Sequence, residues 1–240
     1  MRLSFLGTSH GVQEPNRRCS CYLLECGGQY YVIDAGTQFV EDLHTRRIAP
    51  SDVRLVVCTH PHGDHTDGLI SFVDLMSWYY RKVPPMKVLL PTEELIEPMR
   101  AWIRATGTTM RGDLVSVYTA GVVYEDDRVK VTAFPTLHCE NAYGFIVEAE
   151  GKRLLFTGDM SGWPADDLEN LDSSGGFELA VCEAAHFSPA LLPPILDGIG
   201  VKRVYLVHVN PGNYPEAYRL EKEDHPCAYR VANDGLELVF

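Results

Sequence analysis

Short apolar runs alternating with amphipathic stretches dominate the chain. RLSFLG reads as a first strand closed by glycine, and CYLLE with YYVIDAG reads as a strand pair joined around Gly27 and Gly28. RLVVC predicts a further short strand. The following DGLISFVDLMSWYY carries Leu69, Phe72, Val73, Met76 and Tyr80 at helical spacing. MKVLL predicts another strand, and TEELIEPMRAWIRAT predicts a helix broken or bent near Pro98.

Strand signals recur in RGDLVSVYTAG and in RVKVTAFPTLH, and YGFIVEAEGKRLLFTGD predicts a hairpin turning at Glu150, Gly151 and Lys152. FELAVCEAAH ends a strand, SPALLPPILDGIG predicts a helix introduced by Ser188-Pro189, and VKRVYLVHVN predicts a strand with a polar exit. The terminal YRVANDGLELVF predicts a last hairpin turning at Asn233-Asp234-Gly235. Strands in succession, mixed with helices that follow strands, predict layered sheets flanked by helices. No linker or repeat divides the chain, so residues 1–240 are expected to form a single domain.

One polar segment breaks the pattern at a place where chemistry is expected. In VVCTHPHGDHTDG, His60, His62, Asp64 and His65 stand on the loop between a core strand and a helix. Imidazoles mixed with a carboxylate suit zinc, manganese or ferrous iron rather than calcium or magnesium. An extended backbone sends His60 and His62 the same way, and Gly63 lets the chain turn so that Asp64 and His65 address a second point. Two neighbouring ions therefore account for the cluster better than one. A solvent-facing polar loop is the ordinary alternative for a single histidine, but not for this set.

HPHGDHTDG resembles the H-x-H-x-D-H signature of the metallo-β-lactamase fold superfamily, and the resemblance extends in order to TLHCENAYGF, LLFTGDM and YLVHVN. It implies an α/β fold, a four-layer αββα sandwich with two mixed β-sheets and a metal centre on strand-end loops. It also implies that His60, His62 and His138 hold one ion, that Asp64, His65 and His208 hold a second, and that Asp159 bridges both. Taken singly, His138 reads equally as a loop hydrogen-bonder, Asp159 as a turn acceptor and His208 as a packed core histidine.

Aspartate at position 159, in place of the cysteine ligand of the zinc β-lactamases, is similar to the phosphodiesterase, glyoxalase II and lactonase branches. His62, where the flavodiiron branch carries glutamate, favours a hydrolase. FLGTSHG with Pro15 and Arg17-Arg18, and the terminal VANDGLELVF, resemble the RNase Z-like phosphodiesterase group. That resemblance makes His186, in VCEAAHFSP, the candidate proton donor, with Glu183 able to orient it; Phe187-Ser188-Pro189 departs from the group's Ser-Thr continuation. In the expected reaction two divalent ions, Zn2+ or alternatively Mn2+ or Fe2+, activate a water that Asp64 orients toward a small cyclic or linear phosphodiester. A lactone or thioester hydrolase is the alternative, and a noncatalytic metal-dependent sensor or scaffold is another. For a carbonyl substrate, Trp78, Tyr79, Trp102, Tyr143 and Trp163 are the aromatic candidates for a pocket, against their ordinary role as packing groups.

Charge and composition narrow the partners. The chain carries 33 acidic and 21 basic residues, for a net charge of −12. This disfavours unspecific attraction to nucleic acid or anionic membrane. Only 20 residues separate His138 from Asp159, too few for the substrate arm that RNase Z enzymes carry there, and no RNP-like motif is present. A small anionic substrate is therefore expected and a large RNA is not. No membrane-spanning run occurs, and a homodimer is compatible with the resemblance. Seven cysteines, an odd number, with no export signal predict reduced thiols and a cytoplasmic setting. Cys19, Cys21 and Cys26 are spaced poorly for zinc and are expected to pack in strands. Ser20 and the Gly7-Thr8-Ser9 turn either line the metal mouth or serve as structure, and Arg17 or Arg18 either attracts an anion or is solvated.

Overall fold

In the computed structural model, which describes residues 1–83 and 86–240, the first half of the chain builds one sheet. Strands β1 (Arg2–Gly7), β2 (Cys21–Cys26) and β3 (Gln29–Ala35) run antiparallel; β4 (Val53–Val57), β5 (Lys87–Leu90) and β6 (Val115–Val117) then add in parallel. The second half repeats this plan. β7 (Gly121–Glu125), β8 (Val129–Pro135), β9 (Tyr143–Ala149) and β10 (Lys152–Phe156) are antiparallel, and β11 (Leu179–Ala184), β12 (Arg203–Val209) and β13 (Ala228–Val231) extend the sheet in parallel. Strand β14 (Glu237–Val239) then crosses back to pair with β1, so each sheet has seven strands. The result is the two mixed sheets flanked by helices expected from the sequence.

Period-two alternation explains why the layers form. In β4, Leu55 and Val57 face the core between the sheets while Val56 faces outward under helices. Phe145, Val147, Leu154 and Phe156 meet Leu3, Phe5, Leu24 and Ile33 in that central layer. Each fully buried Leu or Phe there contributes about 1.5–3 kcal/mol of transfer free energy. Helices α1 (Val40–Thr45), α3 (Leu69–Trp78) and α4 (Ile96–Ala105) cover the outer face of the first sheet. Leu69, Phe72, Val73 and Met76 form the buried stripe of α3, as their spacing predicts. Helices α5 (Pro164–Leu168), α6 (Leu192–Gly198) and α7 (Tyr214–Leu220) cover the second sheet. The short helix α2 (Gly63–Thr66) belongs to the histidine loop. Among the described residues no helix is long and apolar enough to cross a membrane.

Two hairpins have the chemistry their sequences require. Gly27 and Gly28 between β2 and β3, and Glu150 and Gly151 between β9 and β10, take positive φ at consecutive positions, the twist that two-residue β-hairpin turns need.

Some expectations fail for identifiable reasons. Pro98 does not break α4, because the helix begins at Ile96 and places the proline in its first turn, where no intrahelical N–H is required. Helices α1, α5 and α7 and strand β7 carry too few periodic residues to be read from the chain.

The predicted terminal hairpin does not form. β13 pairs with β12 in one sheet and β14 with β1 in the other, so Asn233-Asp234-Gly235 is a bridge between sheets. Alternation within two strands cannot say which strand each will pair with. This bridge is tied down by charge: Asp234 accepts from Thr8 Oγ1 and from the Arg18 amide, both at 2.8 Å.

Replacing Asp234 by alanine (D234A) removes a carboxylate acceptor from a largely shielded position and is expected to cost about 2 kcal/mol. Urea unfolding checks this, and an unchanged midpoint would show that the bridge contributes no stability.

Candidate metal centre

Strand ends from both sheets contribute to a single cluster at one edge of the sandwich. β4 exits through Thr59 into His60 and His62, and α2 then presents Asp64 and His65. The loop lies directly on the end of β3: a Cβ at Gly36 would stand 1.8 Å from the Asp64 carbonyl oxygen, so no larger residue fits. His138 follows β8, Asp159 follows β10, and His208 lies near the end of β12. Backbone ties set their depth. Tyr143 N–H donates to the Thr59 carbonyl (3.0 Å), Thr136 Oγ1 donates to the Asp159 carbonyl (2.8 Å), and His208 N–H donates to the Thr8 carbonyl (2.8 Å). His208 has φ 48° and Asp34, at the end of β3, has φ 57°. Left-handed backbone at a non-glycine residue costs on the order of 1–3 kcal/mol and marks positions where the surroundings dictate side-chain direction.

The expected residues converge into two sets of donors. His60, His62 and His138 form one, and Asp64, His65, Asp159 and His208 form the other, the donor atoms of each set lying within 4.8 Å of one another. His62 Nδ1 is 3.1 Å from both His60 Nε2 and His138 Nε2, while Asp159 Oδ2 is 3.6 and 3.8 Å from the same two nitrogens. In the second set Asp64 Oδ2 is 3.0 Å from His208 Nε2 and 3.6 Å from His65 Nε2. Asp159 reaches this set as well, with Oδ1 3.4 Å from His65 Nε2 and Oδ2 3.5 Å from His208 Nε2. Metal–ligand bonds of about 2.0–2.1 Å in a tetrahedron place neighbouring donors about 3.3 Å apart, which matches this spacing.

Two orphaned atoms make the same point independently. His65 Nε2 and Asp159 Oδ1 are buried without a hydrogen-bond partner, which is costly unless a cation takes the place of one. These residues therefore have the capacity to hold one or two divalent ions.

Charge in the cluster is arranged for a cation. Burial lowers the His65 pKa, but Asp159 and Asp34 outweigh it and hold the imidazole well above its ordinary value. Burial opposes ionisation of Asp159, yet His208 and His65 keep its carboxyl well below the usual range. His60 is pushed down to about 2, first by burial and then by repulsion from His65. The carboxylates thus create a place for positive charge that a proton on His65 fills when a metal does not.

Around the donors stands a layer that the sequence analysis largely missed. Asp34 accepts from His65 Nδ1 at 2.8 Å and from the Thr59 amide and hydroxyl at 2.7 and 3.0 Å; the Thr59 hydroxyl in turn meets His60 Nδ1 at 3.0 Å. One carboxylate thereby fixes two imidazoles with Nε2 toward the centre. Its only sequence signal was an acidic residue at the end of the apolar run YYVID. Asp167 accepts from the Leu137 amide and from the Ser161 amide and hydroxyl, tying the His138 loop to the one that follows Asp159. Nothing in WPADDLEN announced that role. His10, also unremarked, sits at the rim with its ring 6.4 Å from that of His208, and its Nδ1 accepts the Val12 amide.

Glu183 and His186 lie beside the donors. Buried Glu183 accepts from the Met160 amide at 2.8 Å, from the Ala185 and His186 amides at 2.8 and 3.2 Å, and from His186 Nδ1 at 2.9 Å. The hydrogen bond to Glu183 raises the His186 pKa above its ordinary value. The His186 ring lies 4.5 Å from that of His138 and 5.7 Å from that of His208.

Other candidates are placed elsewhere. Arg17 donates to the Ala232 carbonyl, Asn233 Oδ1 and Thr8 Oγ1, and Arg18 pairs with Asp42 and Asp234; both brace the bridge between sheets. Cys19, Cys21 and Cys26 are buried, and no cysteine joins a metal-competent cluster among the described residues. Trp78, Tyr79, Trp102 and Trp163 are exposed, and Tyr143 packs against Tyr118, so these rings do not build one aromatic pocket.

Known proteins share this fold over the whole chain. The short form of human tRNase Z superimposes with a TM-score of 0.74 at 20% identity, covering 100% of this chain and 99% of its own. YhfI of Bacillus subtilis, a metallo-β-lactamase fold protein, gives 0.78 at 14% identity, covering 99% and 98%. A diphosphatase of the PhnP family gives 0.72 at 20% identity, covering 100% and 97%. At such identities the likeness shows the fold alone.

In sequence, the ribonuclease Z of Mycobacterium marinum is 28% identical over 193 residues, 73% of this chain and 68% of its own. That of Exiguobacterium sp. is 30% identical over 161 residues, 67% of this chain and 53% of its own. The match therefore spans about half to two thirds of those ribonucleases. Fold and donor set together define a metallo-β-lactamase fold metallohydrolase close to the RNase Z and PhnP phosphodiesterase branch. Residues 1–175 match the family of the anti-Pycsar protein Apyc1, and the chain belongs to that family.

These relatives correct one expectation. Large RNA was set aside as a partner on grounds of net charge and a short segment between His138 and Asp159, yet the curated relatives are ribonucleases Z and a tRNase Z shares the fold. Net charge sums over the whole chain and is silent about the field at a metal-bearing mouth, and the β9–β10 hairpin that fills that short segment speaks only to one attachment point.

Replacing Asp34 by asparagine (D34N) keeps the shape but removes the charge that orients His65 and Thr59. Metal affinity is expected to fall about 10–100-fold, measured by competition with a chromophoric chelator.

Proposed function

We propose that this protein hydrolyses phosphodiesters, with a small cyclic or linear phosphodiester as substrate, and that residues 1–240 act as one domain. The observation that carries this reading is the approach of Asp159 to both donor sets, with His186 held by Glu183 alongside. His60, His62 and His138 would hold one ion and Asp64, His65 and His208 the other, with Asp159 reaching both. Zinc suits this nitrogen and carboxylate set, as do manganese and ferrous iron. When bound, the pair of ions lowers the pKa of a water and neutralises charge developing on phosphoryl oxygens.

The chain's own groups do the rest. Asp64 orients the attacking water. His186 has Nδ1 committed to Glu183, which leaves Nε2 to protonate the departing oxygen. An alkoxide leaving group needs that proton more than the thiolate of a thioester does, which favours phosphodiesters over thioesters. The ribonuclease Z relatives support RNA phosphodiesters as a second substrate class. Unpaired thiols at all seven cysteines support a reducing, cytoplasmic setting.

Turnover of bis(p-nitrophenyl) phosphate, cyclic and linear nucleotides and RNA is expected after metal loading, with lactones and thioesters turned over more slowly. The reverse order would defeat the reading, and stoichiometric metal with no turnover on the whole panel would make the protein a sensor or scaffold.

His60→Ala (H60A) is expected to lose metal, measured by elemental analysis, together with turnover. His186→Ala (H186A) is expected to keep its metal and to slow substrates with poor leaving groups by about 10²–10⁴-fold, with much less effect on p-nitrophenolate release. Equal slowing of both, or loss of metal, would remove His186 from the role of acid.

A further inference from the structure

Between the sheets, directly against the donor cluster, lies a cavity of about 10 Å³ whose lining includes Ser20, Tyr22, Asp34, His208 and the donors His65 and Asp159. Two polar atoms of its lining residues have no explanation yet. Ser20 Oγ and His208 Nδ1 are both buried and without a hydrogen-bond partner, although Ser20 is 1% exposed and His208 3%. Three neighbouring imidazoles differ. His60 Nδ1 meets Thr59 Oγ1, His65 Nδ1 meets Asp34, and His186 Nδ1 meets Glu183, each at 3.0 Å or less. A histidine that presents Nε2 to a metal almost always has its other nitrogen tied, because the tie fixes both tautomer and ring direction. His208 carries strained backbone besides, with its N–H held by Thr8, so its ring has every reason to be fixed.

We propose that this cavity binds one ordered water, which accepts a hydrogen bond from His208 Nδ1–H and donates one to Ser20 Oγ. A volume of roughly 10–15 Å³ accommodates a single water, and two orphaned polar groups meet the minimum of partners that such a water needs. The water holds the proton on Nδ1 and leaves the Nε2 lone pair facing Asp64 and Asp159. Ser20 thereby becomes a positioning residue for the second metal position, acting through the water on His208. It also links the sheets: Ser20 precedes β2 and accepts the Gly36 amide beside the Asp64 loop, whereas His208 belongs to β12. The inference rests on the reading of His208 as a metal ligand, but not on the identity of the substrate.

Two measurements test it, and neither uses a substrate. A crystal structure of the metal-loaded protein at better than about 1.5 Å is expected to show a water within about 3.2 Å of both Ser20 Oγ and His208 Nδ1. A dry cavity, or a direct Ser20–His208 hydrogen bond, overturns the proposal whether or not any variant folds. In Ser20→Ala (S20A), chelator competition is expected to show the second of two ions bound about tenfold more weakly and the first within twofold of the unsubstituted chain. Equal weakening of both ions marks a general structural effect and overturns the role assigned to Ser20, as does unchanged binding of both or an unsubstituted chain that binds a single ion. Failure to cleave phosphodiesters would defeat the proposed function while leaving both of these results standing.

Discussion

A buried carboxylate with an uncompensated oxygen is the constraint on which this structure turns. Asp159 is 3% exposed, faces four imidazoles from three different strand exits and leaves Oδ1 without a hydrogen-bond partner. Desolvation alone would drive such a group to accept a proton, but the surrounding histidines keep it ionised. Burial, and after it repulsion from His65, holds His60 well below its ordinary pKa. A divalent cation resolves both problems at once, since it satisfies the carboxylate oxygens and needs the imidazoles neutral. The cluster is a site prepared for charge that the chain itself does not carry.

Keeping that arrangement in place requires the two sheets to be held in register at one edge. The central apolar layer supplies the cohesion, and directional polar ties fix the alignment at the edge. Thr8 receives the His208 amide, Asp234 receives Thr8 and Arg18, and Arg17 closes the same knot on Asn233. Residues read from the sequence as candidates for anion attraction are thus spent on joining the sheets. Left-handed backbone at His208 is sustained by this network, and at Asp34 by its bonds to Thr59 and His65, which converts stability into side-chain direction. Functional sites commonly hold such strain, because a ligand must point where chemistry needs it rather than where its own backbone prefers.

Layering within the site separates duties. Donor atoms face inward, Asp34 and Glu183 fix rings from behind, and exposed His62 and His186 border the mouth. The acid role proposed for His186 uses that geometry, since a group whose Nδ1 is committed has one nitrogen left for substrate. The net charge of −12 is compatible with this centre, because bound divalent cations would govern the field within a few ångströms.

The sequence by itself determined the strands with alternating cores, the amphipathic α3, the histidine loop and, through its ordered likeness to a metallohydrolase family, the later donors His138, Asp159 and His208. These are local signals: period, turn chemistry and dense ligand spacing survive in a linear string. Only the tertiary structure decided that β13 and β14 part to different sheets, that Arg17 and Arg18 brace a turn, and that Asp34, Asp167 and Ser20 stand behind the donors. Each of those depends on which distant backbone arrives beside it. Strand pairing and hydrogen-bond partnership are set by packing between segments far apart in the chain, and an isolated aspartate or serine at a strand end looks the same whether it meets water, an amide or an imidazole.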